Sequence, residues 1–339
     1  MTRYVSRRVG LSLIVVAGVI VLTFLISHVI PGDPAVSWAG PHASAAQIAA
    51  ARAQLGLNLP IWSQILHYFG GILSGDWGVS IRTHRSVLAD LGSAVPASVE
   101  LVGAALIIAA LIGIPLGLVS ARYVRRWPDQ VARFGAVLGV SMPAFWLALI
   151  VQIVFSHDLH WFPTAGEYAP SLAYSHPIPH VTGMPVIDGL ITLHLAVFWS
   201  SLTHLVLPAV VVSSYPLGVV TRMVRAKVLE TSEETHTQMI RSLGFSERAV
   251  LSQFSLRLAW SPVVQVLALV FAYSLANTFL VEAVFDWPGL GNYAAQSIQS
   301  LDIPAIAGVT LFVAMAYVTL NLLVDIAQVF FDPRMRRSL

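Results

Sequence analysis

The feature that most constrains this chain is a series of six apolar stretches, each long enough to cross a lipid bilayer. A helix needs roughly 20 residues to span about 30 Å of hydrocarbon. The stretches cover residues 9–30, 101–121, 134–157, 201–221, 258–281 and 303–331. Only 11% of the residues are charged, against about 25% in an ordinary soluble domain. We therefore predict an all-α membrane protein with six transmembrane helices.

The basic residues predict how these helices are oriented. Sixteen of the 19 lysines and arginines lie before the first stretch, between the second and third, between the fourth and fifth, or after the sixth. The exceptions are Arg52, Arg82 and Arg85, which all follow the first stretch. Loops rich in lysine and arginine remain in the cytoplasm. Both termini are thus predicted to lie in the cytoplasm, with the chain a multi-pass protein of the cytoplasmic (inner) membrane.

Polarity divides the chain into three parts. Residues 1–30 are the N-terminal end and first span, residues 31–98 a polar external segment, and residues 99–339 a five-helix core. In the external segment, 44–55 reads as a short helix that stops at Gly56, and apolar periodicity from Ile61 predicts a second helix. We interpret this segment as a structured platform for a partner; the alternative is an amphipathic element resting on the membrane surface.

Glycines and prolines inside the spans predict close contacts and bends. The glycine pairs 113/117 and 135/139 allow neighbouring helices to approach closely. Spans two to five also contain residues that interrupt helices, namely Pro115, Pro143, Pro208, Pro216 and Pro262.

Several chemistries lack the residues that they require. The chain has no cysteine and only one lysine, Lys227, with no glycine-rich loop before it, so it has no phosphate-binding P-loop. Motifs of intramembrane zinc proteases and serine hydrolases are also missing. The pairs His157/His160 and His176/His180 have metal-compatible spacing, but no acidic cluster accompanies them. We expect a non-enzyme without metal or cofactor, and no nucleic-acid partner.

The loop 222–259 is far longer than a turn between two spans requires. Mixed charges predict a helix over 225–243, Gly244 is a typical helix stop, and Ser246 can cap a second helix. Such an elbow would give a cytoplasmic protein a rigid feature to push on. The alternative is a solvated linker.

Motifs in order along the whole chain resemble one family, the inner-membrane permease subunits of dipeptide/oligopeptide ABC importers. They are P-G-D-P-A at 31–35, L-G-L-N-L-P at 55–60, S-G-D-W-G-V-S at 74–80, R-S-L-G-F-S-E-R at 241–248, E-A-V-F-D-W-P-G-L-G at 282–291, N-L-L-V-D at 321–325 and D-P-R at 332–334. The resemblance implies the type I ABC importer permease fold and a role as half of the pathway for di- and oligopeptides.

The resemblance also implies partners and the surfaces that meet them. The partners are a sister permease, one or two ATPase subunits that bind ATP and magnesium, an extracytoplasmic substrate-binding protein, and membrane lipid. The residues implied to contact the ATPase are Arg241, Ser242, Leu243, Gly244, Phe245, Ser246, Glu247 and Arg248. Those implied to face the binding protein are Asp33, Asp76, Trp77, Pro288 and Gly289.

Four polar residues near the ends of spans are candidates for the pathway or its gate: Asn277, Glu282, Asn321 and Asp325. A carboxylate at that depth is costly, so it should face a cavity or a partner rather than lipid. The alternative for each is an interhelical hydrogen bond. An ion- or proton-coupled secondary transporter is the alternative function, and the cargo is open among dipeptides, longer peptides, nickel, glutathione and haem.

Overall fold

The structure is a computed structural model that describes residues 2–29, 34–40, 42–175 and 181–331. Within these ranges all regular elements are helices, apart from an isolated antiparallel bridge between Val79 and Ser86. In chain order the helices are α1 (Thr2–Val29), α2 (Pro34–Ala39), α3 (Ala45–Gln54), α4 (Ile61–Ser74), α5 (Val87–Arg122), α6 (Trp127–Ser141), α7 (Ala144–Val151), α8 (Pro170–Ser175), α9 (Pro185–Ile191), α10 (Leu195–Ser232), α11 (Thr235–Ser242), α12 (Glu247–Ala249), α13 (Leu256–Asn277), α14 (Phe279–Val284), α15 (Leu290–Gln299) and α16 (Ile303–Phe331). Two π-helical turns, Gln152–Asp158 and Val250–Ser255, continue α7 and α12.

The described residues contain the six predicted spans if one bent pair of helices is taken as a single span. Five straight candidates lie in α1, α5, α10, the α12–α13 segment and α16. The sixth consists of α6 followed by α7 and its π-helical turn, bent by 103°. The bend falls at Pro143, the residue that precedes α7.

The other prolines expected to interrupt the spans lie inside continuous helices. Pro115 is in α5, Pro208 and Pro216 are in α10, and Pro262 is in α13. A membrane helix tolerates proline when neighbouring helices and hydroxyl side chains satisfy the backbone groups that it frees. Only Pro143 therefore separates two helices.

Close helix contact occurs at three of the four paired glycines. A Cβ on Gly117 would lie 2.7 Å from Val224 Cβ, and one on Gly139 would lie 2.6 Å from the Ser214 carbonyl oxygen. Gly113 is similarly close to α10, whereas Gly135 has nothing within 4 Å. Small residues thus let α5 and α6 pack directly on α10, which is the central helix of the bundle.

The segment after α1 contains the two predicted helices. Ser44 caps α3 through a reciprocal bond with Gln47, and Gly75 closes α4 in the left-handed conformation with φ of 85°. Ile72 of α4 packs with Ile20 of α1 and Leu311 of α16. Helix α4 of this segment is therefore docked on two spans, α1 and α16.

Helix α5 begins well before the predicted span at residue 101. Ser86 caps it, and its 36 residues reach about 54 Å, more than the hydrocarbon thickness. Its first turns thus lie in the region that the sequence assigned to the external segment, residues 31–98.

Candidate functional site

The loop 222–259 forms an elbow, although its first helix differs from the prediction. The predicted helix over 225–243 is wrong as a single element: α10 continues to Ser232, and α11 is a separate helix that starts at Thr235. Thr237 explains the break, because its hydroxyl donates to the Thr231 carbonyl oxygen at 2.8 Å and stabilises the turn.

The turn at Gly244 has the predicted geometry. Gly244 adopts φ of 89°, a conformation that other residues rarely take. Ser246 then accepts a hydrogen bond from the Ala249 backbone N–H and starts α12. The α11–turn–α12 unit, residues 235–249, is called the elbow below.

Hydrogen bonds and one aromatic contact hold the elbow in place. Arg241 donates to the Ser232 carbonyl oxygen at 2.8 Å and pairs with Glu247 at 2.6 Å. Thr231 donates to the Ser255 carbonyl oxygen at 3.3 Å, which ties the end of α10 to the start of α13. Phe245 of the elbow also packs on Phe254 of the π-helical turn that leads into α13, with ring centroids 5.4 Å apart. The elbow therefore contacts both the end of α10 and the turn that precedes α13.

The tip of the elbow is apolar and exposed. Met239, Leu243 and Phe245 are 65%, 66% and 48% exposed. Leu243 and Phe245 were predicted contact residues, whereas Met239 was not singled out. Its place on the short, mostly polar helix α11 and close to Leu243 was the signal that could have identified it, because apolar side chains exposed together mark an interaction surface.

A buried ion pair beside the elbow was not predicted from the sequence. Arg225 of α10 donates twice to Asp129 of α6, at 2.8 and 3.1 Å, and Asp129 is fully buried. Ser120 of α5 and the Arg125 backbone N–H also donate to this carboxylate. Three helices, α5, α6 and α10, thus meet at the Asp129 carboxylate. The sequence clue to a structural role was the position of Asp129 in the first turn of α6, where an acidic residue is favourable.

At the opposite ends of the spans, Glu282 is fully buried within a hydrogen-bond network. Its carboxylate accepts from Ser98 at 2.7 Å, Thr278 at 3.0 Å, and the backbone N–H groups of Gly291 and Asn292 at 2.7 and 3.3 Å. It caps α15 and ties it to α5. These contacts agree with the alternative given for Glu282 in the sequence analysis, namely hydrogen bonding between helices rather than a place in the pathway or its gate.

The remaining pathway candidates lie in three different environments. Asn277 lines a cavity of about 390 Å³ between α6, α7, α10, α13 and α14. Asn321 is half-buried on α16. The side chain of Asp325 lies outside the part of the chain that the structure describes.

The residues predicted to face a binding protein are only partly at the surface. Asp76 and Pro288 are exposed, and Trp77 is half-buried against the core. Gly289 is buried, which corrects its placement at the surface: a Cβ there would collide with Glu282 and Ser98. Asp33 lies outside the described residues.

Another carboxylate of interest lies in the segment between α7 and α10. Burial and the charge of Glu100 raise the pKa of Glu167 to about 8. One buried oxygen of each side chain has no hydrogen-bond partner among the described residues. The protonated form of Glu167 is therefore the one that this packing favours.

Comparisons with known proteins match the whole length of the chain. A family profile described as binding-protein-dependent transport system inner membrane component matches residues 113–337, and the profile of its N-terminal region matches residues 1–101. The probable D,D-dipeptide transport system permease protein DdpB of Escherichia coli K12 is 42% identical over 325 residues, covering 96% of this chain and 95% of that protein.

Two further relatives cover both chains almost completely. The dipeptide transport system permease protein DppB of Alkalihalophilus pseudofirmus is 35% identical over 99% of this chain and 100% of its own length. The glutathione transport system permease protein GsiC of Salmonella typhimurium is 33% identical over 99% of each chain. This chain therefore belongs to the inner-membrane components of binding-protein-dependent transport systems, the permease subunits of ABC importers.

Proposed function

We propose that the chain forms half of an ATP-driven pathway for short peptides and does no chemistry of its own. The elbow is the observation that carries this proposal: its tip is apolar and exposed, and it contacts the end of α10 and the turn that precedes α13. The names of the relatives support a peptide as the cargo, because they are dipeptide and glutathione permeases. Membership of the family implies an ATPase and a substrate-binding protein as partners.

The proposed arrangement places both termini and the elbow in the cytoplasm, following the distribution of basic residues. A sister permease completes the pathway in a heterodimer. Partner ATPases bind ATP and magnesium, since this chain has no P-loop, and they receive the apolar tip of the elbow. Asp76 and Pro288, on the outer side, meet the binding protein.

The contacts of the elbow suggest how force reaches the spans. A push on its tip moves the ends of α10 and α13 together, because Arg241 and Thr231 connect them. The ion pair of Arg225 and Asp129 carries the same motion to α6, the first half of the bent span. The spans then switch as rigid bodies between two states of the pathway.

Reconstitution in liposomes tests this function. The complete complex should import labelled dipeptide only with ATP, and an ionophore that collapses the proton gradient should leave import unchanged. The chain alone should move no peptide. Peptide flux through the chain alone, or flux that needs the proton gradient and not ATP, would show that the proposal is wrong and would favour a secondary transporter.

A further inference from the structure

The cavity that contains Asn277 has a lining that is partly polar and carries no charge. It lies where the bent span formed by α6 and α7 changes direction, between α7, the middle of α10 and the C-terminal half of α13, and its volume is about 390 Å³. No charged side chain lines it. The polar groups are hydroxyls and one amide, and the most prominent belong to Tyr215, Tyr273 and Asn277.

These three side chains form a connected polar wall. The rings of Tyr215 and Tyr273 lie 4.8 Å apart between centroids and are tilted by 31°, which links α10 to α13. The Asn277 amide nitrogen donates to the Tyr273 carbonyl oxygen at 2.8 Å. Among the described residues, neither phenol hydroxyl makes a hydrogen bond, and none donates to Asn277 Oδ1.

Unpaired polar groups within spans require an occupant that can bond to them. Lipid tails offer no donor or acceptor, and a polar side chain in hydrocarbon faces a cavity or a partner instead. Large apolar side chains are exposed elsewhere on the bundle, such as Leu111 of α5 at 70% and Phe134 of α6 at 65%. The wall around Tyr273 is distinguished by three polar side chains that line one cavity.

The size and chemistry of the wall fit a short peptide. Cavities of about 300–1,000 Å³ accommodate small ligands. A phenol O–H can donate to a peptide carboxylate or carbonyl group, and an amide oxygen can accept from an ammonium or a peptide N–H. The aromatic faces can pack on apolar side chains. Nothing in the lining neutralises a charged side chain, so burying one there would be costly.

We propose that this cavity is a transient cargo site for short peptides with uncharged side chains, and that Tyr215, Tyr273 and Asn277 contact the peptide as it crosses. The inference rests on the proposed function and makes it more specific. It predicts that the permease, in addition to the binding protein, discriminates against charged side chains.

A charge placed in the wall tests the discrimination directly. In the complete reconstituted complex, kcat/KM for import is measured for Ala-Lys and Ala-Glu with the same binding protein. Asn277→Asp should shift the Ala-Lys to Ala-Glu ratio about tenfold towards Ala-Lys, as expected for charges a few ångströms apart in a medium of intermediate dielectric. The matched control is Ala276→Asp, because Ala276 is exposed on the same helix but does not line the cavity.

A shift below twofold for Ala276→Asp, beside the tenfold shift for Asn277→Asp, supports the inference. Equal shifts would assign the effect to the general field of the added charge and overturn it, as would no shift in either variant. The ratio compares two peptides in one preparation, so a lower yield of complex does not alter it.

Photo-crosslinking provides a test that needs no charged variant. A benzophenone amino acid replaces Tyr273, or Leu111 as the control, and labelled Ala-Ala is supplied through the binding protein. Label should attach at position 273 only during ATP turnover, be displaced by excess unlabelled Ala-Ala, and be absent at position 111. Crosslinks at 273 to the sister subunit or lipid alone would overturn the inference.

Import of Ala-Ala by the unmodified complex distinguishes a failure of the cargo-site proposal from a failure of the proposed function. If it imports Ala-Ala but neither test gives the expected result, the cargo site is wrong and the proposed function stands. If it imports no peptide under ATP, both proposals fail.

Discussion

Replacement of Gly244 at the turn of the elbow should uncouple transport without preventing membrane insertion. Gly244 has φ of 89°, and its N–H donates to the Arg241 carbonyl oxygen at 2.9 Å. Proline fixes φ near −65° and has no N–H, so Gly244→Pro cannot form this turn. Proline also disfavours the αR conformation of the residue before it, and Leu243 is αR.

The cost of this substitution follows from those losses. A proline that removes a hydrogen bond and opposes the local backbone costs about 3 kcal/mol or more, which corresponds to a factor of roughly 150 in an equilibrium. The turn of the elbow would then be rebuilt, and Leu243 and Phe245 would leave the positions from which they meet a partner. We expect peptide import and peptide-stimulated ATP hydrolysis in the reconstituted complex to fall about a hundredfold.

A second glycine provides a matched control. Gly40 has φ of 91° and, like Gly244, would have nothing within 4 Å of an added Cβ. Gly40→Ala and Gly244→Ala should each cost about 1–2 kcal/mol in their own turns, yet only Gly244→Ala should reduce ATP-driven import. Wild-type import by Gly244→Pro at normal expression would falsify the coupling role, and equal losses in the two alanine variants would show a general folding defect.

Three further predictions concern the buried carboxylates. Glu282→Ala leaves two buried N–H groups without an acceptor, at about 1–3 kcal/mol each, so hydrogen exchange of 286–299 should increase while the elbow is unaffected. Asp129→Ala leaves Arg225 without its buried partner and should lower the unfolding free energy by about 3 kcal/mol in thermal denaturation. The control is Glu230→Ala, which removes an exposed ion pair with Lys227 and should change the unfolding free energy by less than about 1 kcal/mol. The pKa of Glu167 is raised to about 8, so the stability that its protonated form contributes is present at low pH and lost as the pH rises through 8. The protection factors of residues 162–172, which correct exchange for its base-catalysed intrinsic rate, should therefore be lower at pH 9 than at pH 6.5, and Glu167→Gln should remove this difference.

The features that the sequence predicted are those determined by neighbours along the chain. The short helix over 44–55, its stop at Gly56 and the left-handed turn at Gly244 need only a few adjacent residues, and all of them form. The spans follow from local hydropathy in the same way. Close packing at Gly117 could also be anticipated, because a residue without a side chain allows contact with whichever helix is adjacent.

The features that the sequence did not predict depend on pairs far apart in the chain. Ser98 reaches Glu282 across 184 positions, and Arg225 reaches Asp129 across 96. No local pattern indicates which carboxylate will find donors, so Glu282 resembled a gate residue until its partners were known. The break at Pro143 could not be distinguished from the unbroken helices around Pro208 for the same reason: the outcome depends on the neighbouring helices.

Whether polar groups find hydrogen-bond partners within the chain distinguishes the residues that hold the fold together from the surfaces that we propose to meet the ATPase and the cargo. Glu282 and Asp129 are buried, and donors surround both carboxylates, so their polarity is used within the fold. Two surfaces have a polarity that does not match their surroundings. The tip of the elbow around Leu243 is apolar although it lies outside the spans, and the wall around Tyr273 is polar although it lies within them. Each mismatch is unfavourable for the isolated chain and is relieved by a suitable occupant. The first requires an apolar protein groove and the second a polar solute, and an importer driven by a separate ATPase supplies both.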